Sequence, residues 1–177
     1  MRLLHVSEET GITRFEPRAR PDGSPAVWAI HESRLHNYLL PRDCPRVTCY
    51  ATPTSAREDV DAILGTAPAL VAIEAAWEAR CRATPLVVYE LPAEPFMLED
   101  EGAGYFVSER PVEPIGVETI DDPLARLATH DVDVRVLPCL WALREAVASS
   151  TLAFSIIRMR NAAPPPDGFV SRFPVPR

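Results

Sequence analysis

The sequence contains no lysine: all 18 of its basic residues are arginine. Without a side-chain amine no Schiff base can form, which excludes pyridoxal-phosphate enzymes and Schiff-base aldolases. The same absence removes the phosphate-gripping lysine of the P-loop, and no G-x-x-x-x-G-K run occurs. Glycine is scarce too, 7 in 177 residues, and neither G-x-G-x-x-G nor G-x-S-x-G is present. The common dinucleotide fingerprint and the nucleophile elbow of α/β-hydrolases are therefore missing. No apolar run approaches the roughly 20 residues that cross a bilayer. Met1-Arg2-Leu3-Leu4 reaches His5 and then Glu8-Glu9 before a secretory signal core can form. The expectation is a cytoplasmic protein with no membrane partner.

There are four cysteines, Cys44, Cys49, Cys81 and Cys139, and in that compartment they are expected as reduced thiols. Cys81 and Cys139 fall in apolar patterns and read as core. Cys44 and Cys49 flank a turn and a strand, and no second CxxC-like pair completes a zinc site, so no metal is expected.

The chain does have ample material for a core: 47% of its residues are hydrophobic and 24% charged, at a length typical of one domain. The net charge of −7 argues against coating an extended nucleic acid. That charge is unevenly spread. Residues 1–46 hold 7 Arg against 6 acids, residues 57–133 hold 5 against 17, and residues 134–177 hold 6 against 2. Arginine-rich ends on an acidic middle suit a small phosphorylated or carboxylated ligand better than a polymer.

Nineteen prolines divide the chain into short segments, because proline has no N–H to donate and restricts its predecessor. Residues 2–7, 26–30, 46–51, 86–91, 105–108 and 115–120 read as strands. Residues 31–40 read as a short helix ended by Pro41, and Pro21-Asp22-Gly23 as a turn. The clearest helical signature is residues 67–83, with Leu70, Ile73, Trp77 and Cys81 as one apolar stripe and Thr66 as cap. A short helix starts at Asp121-Asp122-Pro123. From Pro138, the spacing of Leu140, Leu143, Val147, Thr151, Phe154 and Ile157 favours one long helix, with a strand over 151–158 as the alternative. Strands and helices neither alternate nor segregate, which points to an α+β fold: one domain over residues 1–163, with a mixed or antiparallel sheet flanked by helices. Residues 164–177 read as a proline-rich, peripheral tail.

Chemistry-bearing residues concentrate in the N-terminal region. In Leu3-Leu4-His5-Val6-Ser7, strand alternation puts His5 and Ser7 on one face. His5 is either a core histidine with one nitrogen satisfied or an acid, base or ligand donor near neutral pH; it is the single candidate catalytic residue. Arg18 follows Phe15-Glu16-Pro17, and Trp28 lies inside the second strand as core or as a ligand platform. Pro41-Arg42-Asp43-Cys44-Pro45-Arg46 spends two prolines on a turn presenting Arg42 and Arg46, whose guanidinium forks match phosphate or carboxylate; the alternative is an Asp43 salt bridge in a tight turn. Arg158 joins this candidate binding set from the far end of the chain. His31, His36 and His130 read as surface residues.

The blocks L-L-H-V-S-E, F-E-P-R, A-V-W-A-I, P-R-D-C-P-R-V-T and S-T-L-A-F-S-I-I-R-M-R-N-A resemble a bacterial family of uncharacterised function, over nearly the whole chain. More distantly, the chain resembles the ADP-ribosyltransferase-like fold, which includes RNA 2′-phosphotransferases. The resemblance rests on a first strand bearing His5, a second carrying Val27-Trp28-Ala29, and a later pair, Tyr105-Phe106-Val107 and Val112-Glu113-Pro114-Ile115. It implies a split sheet whose cleft holds NAD. The family's catalytic glutamate has no counterpart at Gly104-Tyr105, with Glu101 and Glu113 as the nearest substitutes. The functional expectation is a ligand-binding protein or enzyme that takes NAD or another phosphorylated nucleotide at the N-terminal His/Arg cluster. The alternative is a non-enzymatic interaction protein that uses its acidic middle.

Overall fold

Alternating and β-branched apolar segments need partners for both their backbone groups and their buried faces, and here eleven strands find them in two sheets. The computed structural model describes residues 1–174. In chain order the elements are β1 (Leu3–Ser7), β2 (Arg18–Ala19), β3 (Pro25–His31), a 3-10 helix (Glu32–Asn37), β4 (Arg46–Tyr50), and α1 (Arg57–Asp59) running into a π-helical turn (Val60–Leu64). Then come β5 (Ala69–Glu74), α2 (Ala75–Ala83), β6 (Leu86–Leu91), β7 (Met97–Asp100), β8 (Tyr105–Ser108) and β9 (Gly116–Ile120). The chain ends with α3 (Pro123–Leu127), β10 (Asp133–Leu137), α4 (Trp141–Ala148), β11 (Ala153–Ile157) and a 3-10 turn (Met159–Asn161). Helices and strands are mixed as an α+β fold requires, and no helix among the described residues is long and apolar enough to cross a membrane.

The chain divides into two compact units, residues 1–42 with 84–123, and residues 43–83 with 124 onward. The first holds an antiparallel sheet in the order β7-β8-β3-β1-β6-β9, with β2 added beside β3. Leu3, Val27, Ala29, Val87, Tyr89 and Leu91 project from one face of it and bury Phe15, Phe96 and Val112. The second unit has its own four-stranded sheet, β10-β5-β4-β11, in which only the β10–β5 pair is parallel. Its core joins Val47, Leu70 and Ala72 to Leu140, Trp141 and Val147.

Two helical expectations give way to strands, for the same physical reason. Residues 69–74, expected in the first half of a helix, form β5, with every residue buried between β4 and β10. A short strand covered on both faces carries a continuous apolar run, which a helix-period template also accepts. The helix begins only at Ala75. In the same way, the long helix from Pro138 stops at Ala148. Ser150 donates its hydroxyl to the Val147 carbonyl, and residues 153–157 pair with β4, leaving Phe154 exposed rather than on a buried stripe. Sequence inspection also misses β2, β7, β10 and the α1 turn.

The tail is largely exposed, and specific contacts tie it to the second unit. The Trp141 indole N–H donates to the Ala163 carbonyl at 2.8 Å, and its ring meets Phe169 at 5.8 Å. Buried Arg144 donates to Ser171 Oγ and to the Phe173 and Pro174 carbonyls. Glu145 accepts from the Ser171 hydroxyl and the Arg172 N–H. Residues 175–177 lie outside the described residues.

Candidate ligand-binding cleft

The site of interest comes from an incomplete strand pairing. β1 pairs with β6 along its whole length, from Leu3↔Leu91 to Ser7↔Val87. Its other edge pairs with β3 only at Leu3↔His31 and Leu4↔Ile30. Beyond Leu4 the two strands part, while β3 stays in the sheet through β8. At the parting, His5 Nδ1 lies 2.9 Å from the Trp28 carbonyl oxygen. A carbonyl can only accept, so Nδ1 carries the proton and the imidazole side chain replaces a missing ladder hydrogen bond. In the neutral ring that leaves Nε2 as an acceptor.

A cleft of about 320 Å³ occupies the parted seam, lined by Leu4, His5 and Val6 of β1, Trp28, Ala29 and Ile30 of β3, and Tyr38 and Tyr105. Its walls are mostly apolar and aromatic. Trp28, expected as core or as a ligand platform, remains 38% exposed. Its indole meets Tyr105 edge-to-face at 5.5 Å, and the Tyr38 hydroxyl donates to the Tyr105 hydroxyl. Ile30↔Tyr105 and Trp28↔Val107 are register pairs, so Trp28 and Tyr105 are diagonal neighbours on one face, within reach of each other's rings. Gly104 sets this up. Its φ is +67°, and a Cβ there would lie 2.8 Å from Arg34 Cγ, so only glycine fits directly before Tyr105.

His5 is held from behind. The Phe15 ring meets it in a tilted contact at 4.8 Å, and Phe15 is fixed by a two-way backbone bridge to Val112. The buried Tyr89 hydroxyl donates to the Glu9 carbonyl and accepts from the Ile12 N–H, which ties down the excursion after β1. Burial pushes the His5 pKa below its usual value; the hydrogen bond to Trp28 opposes this, and the positive charges of Arg18 and Arg42 add to it. Both arginines are exposed and belong to the same unit as His5. The Arg42 backbone N–H is anchored on Glu8 Oε1 at 2.6 Å.

The other expected site residues fare differently. Ser7 shares the His5 face, but its Oγ caps the turn by accepting from the Glu9 N–H, and Ser7 is not part of the lining. Arg46 and Arg158 belong to the second unit. Arg46 is 4% exposed in β4, opposite Ile157, and is thus a buried side chain rather than one presented by a turn. Arg158 follows β11 in the left-handed region at φ +61°. His31 and His36, expected on the surface, are built into the 3-10 turn: His31 Nδ1 accepts from the Ser33 N–H, and His36 is buried. Neither Glu101 nor Glu113 lines the cleft, and Glu113 pairs with Arg14 at 3.5 Å. Sequence reasoning misses Tyr38 and Tyr105 as lining residues, because only the strand order brings them to Trp28. No group of three or more metal-ligating side chains is found among the described residues.

No curated protein and no solved structure matches the chain. Residues 4–162, which run from within β1 through the cleft and both units, match the model of DUF6886, a family of unknown function, and the chain belongs to that family.

Proposed function

We propose that this protein binds a phosphorylated nucleotide, with NAD the first form to test, in the parted seam between β1 and β3. The observation that carries the reading is the combination at that seam: a strand pair opened beyond Leu4 and bridged by His5, and an aromatic lining, in a unit that also exposes Arg18 and Arg42. Small-molecule sites usually measure roughly 300–1,000 Å³ and are apolar with a few polar groups. At about 320 Å³ this cleft suits one ring system and its sugar rather than a whole dinucleotide. A base or nicotinamide ring would lie against Trp28 and Tyr105, with a hydrogen bond to His5. Its phosphates would extend to Arg18 and Arg42, which offer bidentate donors.

Binding is better supported than group transfer, because no carboxylate lines the cleft. The acidic middle is the weaker basis for a function. Residues 57–133 are shared between the two units, and several of their acids are taken by ion pairs with Arg2, Arg14, Arg20 and Arg57.

A thermal-shift panel of NAD, ADP-ribose, mononucleotides and RNA 2′-phosphate analogues at millimolar concentration tests the proposal. Stabilisation by at least one, lost in an Arg18→Ala, Arg42→Ala double variant, supports it. No stabilisation by any, or equal stabilisation of the double variant, overturns it.

A further inference from the structure

Two of the four cysteines meet inside the second unit. Cys44 Sγ and Cys81 Sγ lie 3.5 Å apart, although 37 positions separate them in sequence. Neither thiol is exposed, and all four cysteines are free. Cys44 sits in the proline-flanked turn before β4, next to the exposed Asp43, while Cys81 lies in the last turn of α2. From these positions we infer that Cys44 and Cys81 are a redox pair, which hydrogen peroxide oxidises to an intrachain disulfide.

The surroundings divide the two roles. Either sulfur can donate across this contact; with Cys44 as the donor, the hydrogen bond and the positive charge of Arg46 and Arg80 outweigh burial and lower the Cys81 thiol pKa from its ordinary value. Cys44, as the donor in that hydrogen bond and a buried group, moves the opposite way. In that arrangement Cys81 is the thiol that reacts first and Cys44 the one that resolves it. The Cys81 thiolate attacks one peroxide oxygen, the O–O bond breaks, and hydroxide leaves to be protonated to water, giving a sulfenic acid. Cys44 Sγ then attacks Cys81 Sγ, the S–O bond breaks, and the hydroxyl departs as a second water with the Cys44 proton. Two thiols lose two electrons and two protons, and one peroxide becomes two waters. The sulfur atoms need only close from 3.5 Å to the bond length of about 2.05 Å. Cys49 provides an internal control: it is buried, and desolvation pushes its thiol up to about 11.

The test uses the whole chain, treated with hydrogen peroxide, unfolded, alkylated with N-ethylmaleimide and digested with trypsin. Cleavage after Arg42, Arg46, Arg80 and Arg82 isolates residues 43–46 and 81–82, each with one cysteine. The expected result is a mass matching these two peptides joined by a disulfide, reversed by dithiothreitol, with Cys49 still alkylated. In Cys44→Ser the sulfenic acid on Cys81 should persist and be captured by dimedone; in Cys81→Ser, Cys44 should stay reduced. Peroxide treatment of urea-unfolded chain should lose the selectivity. Linkage of Cys49 or Cys139 in place of this pair, or both Cys44 and Cys81 remaining alkylated after Cys139 has oxidised, would overturn the inference.

Discussion

Replacing His5 with alanine should destabilise the protein, and the deficit should shrink in acid. The side chain supplies one hydrogen bond at 2.9 Å to the Trp28 carbonyl and a ring contact with Phe15 at 4.8 Å. A net hydrogen bond is worth about 1 kcal/mol and an aromatic contact about 0.5–1.5 kcal/mol. With the cavity left by truncation, the loss near neutral pH is about 2–3 kcal/mol. The pH dependence follows from the imidazole, whose folded-state pKa lies below the unfolded value of about 6.5, chiefly through burial. Between the two values the unfolded chain takes up a proton that the folded chain does not. The stabilisation from neutral His5 is therefore complete above about pH 6.5 and is lost as pH falls towards the folded pKa, by up to about 1.4 kcal/mol per pH unit. His130, also shifted down by burial, and all the carboxylates are common to both proteins and cancel in the difference. Urea unfolding of wild type and His5→Ala at about pH 8 and about pH 5 reads this directly. A stability gap that stays constant or widens in acid would refute a neutral His5 bonded to Trp28.

Other consequences can be measured in the same way. Glu74 is 1% exposed and accepts from the Leu140 and Ala163 N–H groups at 3.4 and 2.8 Å. Glu74→Ala leaves both donors unpaired and should cost about 2–5 kcal/mol, seen as a lowered urea midpoint; a loss below about 0.5 kcal/mol would contradict this pairing. Gly104→Ala meets both a left-handed φ and the Arg34 side chain. It should cost about 1–3 kcal/mol and, by displacing Tyr105, weaken nucleotide binding; unchanged affinity would separate Tyr105 from the site. The oxidised Cys44–Cys81 form closes a loop across 37 positions and should gain about 3–4 kcal/mol over the reduced form, measured by urea unfolding with and without dithiothreitol.

The local parts of the site can be read in the sequence, but their assembly cannot. Alternation in Leu3-Leu4-His5-Val6-Ser7 gives β1 and puts His5 and Ser7 on one face. The β-branched run Leu86–Leu91 likewise gives β6. The parting of β1 from β3 leaves no such mark, because the pairs that stop at Leu4↔Ile30 are set by strand order, not by either strand's composition. The same holds for Tyr38 and Tyr105, which sit in unremarkable segments and become cleft walls only when β8 is laid beside β3. Arg46 shows the opposite failure. Its place after Pro45 reads as a presented guanidinium, yet it is the first residue of a central strand and is buried. In β5 the fault lies in periodicity itself, since a strand covered on both faces has no polar alternation to display.

Nuclear magnetic resonance of the His5 imidazole and the three indole N–H groups, during titration with NAD and with ADP-ribose, tests the seam as a ligand site most directly. His5 and Trp28 should shift together and saturably, while Trp77 and Trp141, in the second unit, stay in place. Shifts confined to Trp77 or Trp141, or none at millimolar ligand, would contradict it.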